Sequence, residues 1–290
     1  MKKTSAHKVK QQVGGKFSTW SRFWRFPIIW MIAGSIGIIL VDSLFRALAE
    51  QVEGIFSLLL TLTAGFVAIM VYKLTMKYLA SRSTPEISTH RIGIEAGMGL
   101  LTGAIFIIVS TFIIVAMGGY SFQWASADMG SVLISSIEAA LGAAIIEELI
   151  FRGLMFQAIS KLAGNWLALA VTSLFFGVAH LGNTGATLWS SFAISIEAGL
   201  LLGAAFMWRR NLWFAMGLHF AWNACEGLLG IPVSGHSSVG LFTVKVNGAE
   251  LLTGGDFGLE GSIVPVMISL LIATPMLIGY VRHRASLGKL

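Results

Sequence analysis

Two glutamates and an arginine interrupt an otherwise apolar stretch, AALGAAIIEELIFRGLMF at positions 139–156. Glu148 and Arg152 are four residues apart with the acid first, which is the favourable order for an ion pair on a helix. Adjacent helix positions differ by about 100° in direction, so Glu147 must face a different partner. The stretch therefore predicts a local ion pair beside a second carboxylate that has no local partner.

Two other apolar stretches carry polar side chains at helical spacing. The segment FGVAH places Phe176 and His180 on one helix face, and HFAWN places His219 and Asn223 on another. Taken alone, such a histidine is more often a hydrogen-bonded core residue, and such an asparagine commonly links helices. Three stretches with polar groups in one chain favour a shared site.

These residue types suit hydrolysis of a carbonyl compound. A carboxylate near a neutral imidazole can bind a water and take its proton as the water attacks the carbonyl carbon. A second histidine and an amide can then donate hydrogen bonds to the oxyanion. The sequence thus suggests peptide or ester hydrolysis without a covalent intermediate. Glu138, Glu197 and Glu226 are further acids in apolar segments, and we expect them to line a cavity near this site.

Composition determines the kind of protein that must position these groups. Of 290 residues, 56% are hydrophobic and 12% are charged, and the mean hydropathy is +0.79. Soluble domains usually contain about 25% charged residues, so we predict an integral membrane protein. The apolar runs are too long for barrel strands. The net charge of +6 comes from short basic clusters between these runs, which indicates membrane topology rather than nucleic-acid binding.

The predicted fold is an all-α, polytopic membrane bundle of about eight transmembrane helices, because each such helix needs about 20 mostly apolar residues. Eight segments qualify: 27–46, 55–76, 93–117, 131–158, 164–182, 186–208, 211–230 and 262–281. Connections rich in Lys and Arg alternate with connections that are not, so both termini are predicted to be cytoplasmic.

The predicted domain organisation is simple. Residues 1–26 form a basic cytoplasmic tail, and 27–290 form a single transmembrane domain whose catalytic core is about 131–230. The long connection at 231–261 is predicted to lie on the non-cytoplasmic side. It is rich in Gly and Ser, and of two interpretations, a partly ordered lid and an ordinary exposed loop, we expect the exposed loop.

The three polar stretches, taken in order, resemble the CAAX prenyl protease and bacteriocin-processing family of intramembrane proteases. The family pattern Glu-Glu-x-x-x-Arg, Phe-x-x-x-His and His-x-x-x-Asn appears here as EELIFR (147–152), FGVAH (176–180) and HFAWN (219–223). The resemblance covers roughly 140–225 and implies that Glu147 and His180 activate water, while His219 and Asn223 stabilise the oxyanion. Glu148, Arg152 and Phe176 are then supporting residues.

The resemblance also implies a setting for the reaction. We expect a multi-pass protein of the bacterial cell membrane, acting without a cofactor on a peptide or protein substrate, with lipidated or membrane-embedded substrates included. The partners are then this substrate and the lipid bilayer, with no nucleic acid. The physiological substrate does not transfer from the family.

Alternative functions remain open at this point. Two histidines and a glutamate could bind zinc with water in the fourth position, although HExxH is absent and the single Cys225 argues against a thiolate site. Membrane-embedded Glu and His also relay protons in transporters, but no inverted repeat is visible. A non-catalytic immunity protein of the same fold is a third alternative. A serine mechanism is disfavoured because GHSS (235–238) lies outside the apolar segments.

Overall fold

The computed structural model describes residues 23–287. Most of the predicted basic tail, residues 1–22, and the last three residues lie outside this range, so the prediction of a cytoplasmic tail stays a prediction.

The described chain is a bundle of helices that follow the apolar segments of the sequence. They are α1 (Pro27–Ala49), α2 (Ile55–Leu74), α3 (Ile92–Ala116), α4 (Met129–Glu148), α5 (Phe156–Ala163), α6 (Asn165–Ala179), α7 (Leu188–Ile194), α8 (Leu201–Arg209), α9 (Leu212–Leu229), the short α10 (Glu250–Thr253) and α11 (Ile263–Leu287).

Two long spans contain an internal π-helical segment. Residues Leu149–Met155 join α4 to α5, and residues Ser195–Leu200 join α7 to α8, so each pair of helices forms one continuous span. Such π-helical turns are rare and occur frequently at functional sites. The first of them follows Glu148 directly and contains Arg152.

Six of the described helical spans are long and apolar enough to cross a membrane: Pro27–Ala49, Ile55–Leu79, Ile92–Ala116, Met129–Ala163, Leu188–Arg209 and Ile263–Leu287. The other two predicted spans are also helical, but α6 has only 15 residues and α9 has 18. Large apolar side chains such as Leu40, Phe66 and Leu271 lie exposed on the outer helices, as expected for lipid contact. The chain is an all-α, multi-pass membrane protein.

The centre of the bundle is formed by the α7–α8 span and α9. In the most apolar window of the span Leu188–Arg209, 83% of the residues are buried inside the protein, compared with 17% for Pro27–Ala49. Helix α9 packs closely against α3, because Gly217 lets the backbone of Ala96 approach so near that an added Cβ would overlap its carbonyl. The HFAWN stretch therefore lies on a central helix, whereas EELIFR lies on the α4–α5 span and FGVAH at the end of α6.

Two connections meet at one end of the bundle in an antiparallel β-ribbon. Strand β1 (Tyr120–Trp124) pairs with β2 (Phe242–Val246), with Tyr120 opposite Val246 and Trp124 opposite Phe242. The ribbon joins the connection after α3 to the 231–261 loop. These two connections are therefore on the same side, as the alternation of charge predicts.

The structure corrects the expectation that 231–261 is an ordinary exposed loop. Besides β2 and α10 it contains two short 3-10 turns, and Phe257, Leu259 and Glu260 are buried. The backbone N–H of Gly235 donates to Phe257 O at 2.8 Å, and the Trp189 indole N–H donates to Gly261 O at 2.8 Å. The Gly and Ser content allows tight turns here and does not indicate exposure.

Candidate active site

His219 and Asn223 are positioned by α9. This helix begins after Asn211, whose side-chain oxygen accepts a hydrogen bond from the Trp213 N–H at 2.8 Å, and it ends at Gly230 in the left-handed conformation. His219 is buried, while Asn223, one turn further along, is partly exposed to a cavity. The predicted shared face of these two residues is present.

His180 follows the last residue of α6, at the point where the short helix ends. Its Nδ1 lies 2.7 Å from the carbonyl oxygen of Phe176. A carbonyl can only accept, so Nδ1 carries the proton, which leaves Nε2 of neutral His180 as an acceptor. The imidazole also stacks on the Phe176 ring at 4.8 Å between centroids. Phe176 thus fixes both the tautomer and the plane of His180.

Glu148 connects two other site residues. Its Oε1 accepts a hydrogen bond from Arg152 Nη1 at 2.8 Å, which confirms the predicted ion pair, and it lies 3.1 Å from His219 Nδ1. Glu148 and Arg152 are 0% and 2% exposed. The contact with His219 was not predicted, because it joins residues 71 positions apart. Glu148 therefore holds the imidazole as well as the guanidinium.

Arg152 is also held by the second π-helical segment. Its Nη2 donates to the carbonyl oxygens of Ala198 at 2.6 Å and Gly199 at 3.1 Å, and its guanidinium lies 5.0 Å from the centre of the Phe176 ring. Both carbonyls belong to Ser195–Leu200. The two π-helical segments meet at this arginine, which links the Glu148 and Phe176 sides of the site.

Glu147 occupies a different environment from its neighbour. Its side chain is 29% exposed and lines a cavity, and its Oε2 lies 3.9 Å from His219 Nε2. Within residues 23–287 this oxygen has no hydrogen-bond partner. Helix geometry predicts that Glu147 and Glu148 face different partners. The structure adds that His219 lies between them, with one ring nitrogen toward each.

The charges of this cluster balance when His219 is protonated. Glu147 and Glu148 then carry two negative charges, and Arg152 and His219 carry two positive ones. A low-dielectric interior strongly favours such compensation over an uncompensated buried charge. Nε2 of a protonated His219, on the Glu147 side of the ring, can donate a hydrogen bond, whereas Nε2 of neutral His180 can accept one. The two histidines are thereby suited to opposite roles.

A cavity of about 690 Å³ brings Glu147 and Asn223 together. Its wall along α4 consists of small side chains, among them Ser135, Ala139 and Ala143. At the ribbon end it is bordered by the exposed residues Asp128, His236 and Val239. The small residues of AALGAA therefore leave open space beside the catalytic candidates, in addition to allowing close helix packing.

The three further acids have other surroundings than we expected. Glu138 lines a separate cavity of about 430 Å³ and accepts hydrogen bonds from Ser57 at 2.6 Å and Thr61 at 3.3 Å. Glu197 and Glu226 are fully buried and border neither cavity. Helical periodicity showed that these residues lie in apolar segments, but it did not show which interior surface each one faces.

The described residues, 23–287, contain no group of three or more His, Cys, Asp or Glu side chains arranged to hold a metal ion. His219 Nδ1 lies at hydrogen-bond distance from Glu148, so Nε2 is the only ring nitrogen that could bind a metal ion together with Glu147. Cys225 is a free thiol and borders neither of the two cavities described above.

The position of His180 depends on close contact between α6 and the α7–α8 span. A Cβ added at Gly177 would overlap Ser195 Oγ and the carbonyl oxygen of Ser191. We expect Gly177→Ala to displace the end of α6 and to lower the free energy of unfolding by roughly 1–3 kcal/mol. Thermal unfolding in detergent measures this, with Gly182→Ala as control, since nothing lies within 4 Å of that Cβ position. Equal stability of the two variants would contradict the close packing.

The fold and site together define a class: a helical membrane protein with a Glu, His and Asn site beside an interior cavity. Residues 129–225 match the family model described as Rce1-like: Type II CAAX prenyl endopeptidase Rce1-like. The match supports the resemblance to the CAAX prenyl protease and bacteriocin-processing family over these residues, which include all three motifs. Comparisons with curated proteins and with solved structures gave no match.

Proposed function

We propose that this protein is an intramembrane endopeptidase that hydrolyses a peptide bond with a water activated by Glu147 and His180. One observation carries the proposal. The Glu147 carboxylate lines the same cavity as Asn223 and has a buried oxygen without a hydrogen-bond partner among residues 23–287, 3.9 Å from His219 Nε2. A carboxylate held in this way is free to bind a water.

In the proposed attack on the peptide bond, each of the four site residues has one role. Glu147 takes a proton from the water as the oxygen attacks the peptide carbonyl carbon, with His180 Nε2 accepting a hydrogen bond from the same water. The carbonyl oxygen becomes negative and receives hydrogen bonds from protonated His219 and the Asn223 amide. The proton then passes to the leaving amine as the C–N bond breaks, which restores the carboxylate.

The cavity supports a peptide substrate in extended form. Asp128 and Glu147 are 19 positions apart along one helical direction, about 28 Å at 1.5 Å per residue. About eight extended residues span this distance at 3.3–3.6 Å each. Because the α4 wall is made mostly of Ser and Ala side chains, we propose that a peptide or protein segment approaches Glu147 along it from the ribbon end.

Cleavage of a quenched peptide library by the purified chain in proteoliposomes tests this function. The chain is expected to cleave after exhaustive chelation, which separates glutamate-activated water from zinc-bound water. Cleavage that is lost on chelation and restored by zinc would favour the zinc alternative. No cleavage by the wild-type chain of any peptide, with the folded protein present, would contradict the proposed activity. The location in the bacterial cell membrane and the cytoplasmic placement of both termini stay predictions.

Asn223→Ala is expected to lower kcat about 100 to 1000-fold, since one oxyanion donor is removed. The folded amount should change little, because the Asn223 side chain lines the cavity instead of supporting the core. Cleavage rate and yield of monodisperse protein are measured together, with Asn247→Ala, the same change at an exposed position of the 231–261 loop, as the control. Parallel loss of yield and rate for Asn223→Ala would make it a structural residue.

A further inference from the structure

The 231–261 loop carries an acid into the interior beside the candidate active site. Glu260, on the 3-10 turn Leu259–Gly261, is 3% exposed, and its Oε2 accepts a hydrogen bond from Ser234 Oγ at 2.5 Å. The carboxylate is close enough to interact electrostatically with His180 and with His219. Glu260 lies outside all three motifs, so sequence reasoning missed it.

Ser234 links this acid to the turn that follows His180. The carbonyl oxygen of Ser234 accepts a hydrogen bond from Asn183 Nδ2 at 2.8 Å, and the Asn183 N–H donates to the carbonyl oxygen of His180 at 3.1 Å. The loop is therefore connected to the catalytic candidate through three hydrogen bonds in series.

The backbone of Ser234 supports a specific use of its side chain. Its φ is +48°, in the left-handed region where a side chain costs roughly 1–2 kcal/mol and glycine costs little. Strained positions persist where the surroundings hold them, often at functional sites. The hydroxyl that glycine lacks is the group that donates to Glu260.

The surroundings of Glu260 shift the pKa of its carboxyl in opposite directions. Burial raises the pKa of its carboxyl above the ordinary value, whereas the Ser234 hydroxyl, His180 and His219 act against this increase. The buried carboxyls of Glu197 and Glu226 also interact electrostatically with Glu260. The His219 imidazole itself faces Glu147, Glu148 and Arg152.

We propose that Glu260 is a positioning residue for His180: it holds the turn after His180 through Ser234 and Asn183, and the charge of its carboxylate acts electrostatically on both imidazoles. This inference rests on the proposed function for the role of the histidines. The charge would stabilise an imidazolium as it forms during proton transfer, and the hydrogen bonds would hold His180 against Phe176.

Glu260→Gln tests this role because the amide keeps the shape of the side chain and an acceptor for Ser234 but removes the charge. We expect kcat to fall about tenfold with KM nearly unchanged, and the acidic limb of the pH–rate profile to move to lower pH. The acidic limb moves to lower pH because loss of a nearby negative charge disfavours the protonated forms of the bases. Glu250→Gln, the same change at an exposed position of the loop, is the control.

A readout without catalysis separates this inference from the proposed function. Diethyl pyrocarbonate modifies neutral imidazoles, and mass spectrometry reports each histidine. At pH 6, modification of His180 relative to exposed His236 should rise roughly threefold in Glu260→Gln. An unchanged ratio would overturn the proposal even if the wild-type chain cleaves no peptide, and so would a wild-type kcat and pH profile. If Glu260→Gln does not fold, Ser234→Ala decides: a severalfold lower kcat supports the proposal, and a wild-type kcat overturns it.

Discussion

Glu147→Gln is expected to abolish peptide cleavage, with a loss of about 1000-fold or more, while the folded protein is retained. The amide cannot take a proton from water, so the general base is removed without a change of shape. The fold should tolerate the change because the Glu147 side chain is 29% exposed to the cavity and its Oε2 has no hydrogen-bond partner within residues 23–287. Initial rates in proteoliposomes, at equal amounts of monodisperse protein, measure the effect.

The matched control is Glu138→Gln, which changes another membrane-embedded glutamate of α4 in the same way. Glu138 binds Ser57 and Thr61 beside a separate cavity; the amide oxygen of glutamine can still accept from Ser57, and its NH2 group can donate to the Thr61 hydroxyl oxygen. Its activity should equal that of the wild-type chain. Retained cleavage by folded Glu147→Gln would remove Glu147 as the base and, with it, the proposed mechanism.

The second large effect is expected at Glu148 and Arg152, and it concerns stability first. Removing one partner of a buried ion pair typically costs about 3–5 kcal/mol, because the other charge is left without compensation. Glu148→Leu and Arg152→Met should therefore each yield little folded protein. The double variant should recover most of the stability, since an apolar pair of similar volume often replaces a buried ion pair at little cost.

Activity should not return with stability in the double variant. His219 Nδ1 would lose the carboxylate oxygen at 3.1 Å that orients its ring and favours the protonated form. Denaturation midpoints and cleavage rates of the four proteins in this cycle measure both effects. A double variant with wild-type activity would show that Glu148 does not act through His219, and additive stability losses would show that the pair is not coupled.

Local geometry explains what the amino-acid sequence determined by itself. The contact between Glu148 and Arg152 joins residues four apart on a helical turn, where spacing alone brings side chains together. The stacking of Phe176 and His180 has the same origin. Hydrophobic length likewise determined the helical segments and the membrane class. The three motifs, in order, also predicted the family resemblance that the match over residues 129–225 supports.

Only the tertiary structure decided which helix faces meet. The contacts of His219 with Glu148 and of Arg152 with Ala198 join residues 71 and 46 positions apart. In a chain that is hydrophobic on nearly every face, periodicity does not distinguish an interior face from a lipid-facing one. The sequence therefore did not show which interior surfaces Glu197 and Glu226 face, and it led us to expect an exposed loop at 231–261. A minority of the residues of this loop are buried, Glu260 among them, and its composition is mainly that of a Gly- and Ser-rich loop. Only the packing of these residues against the bundle shows that they are buried.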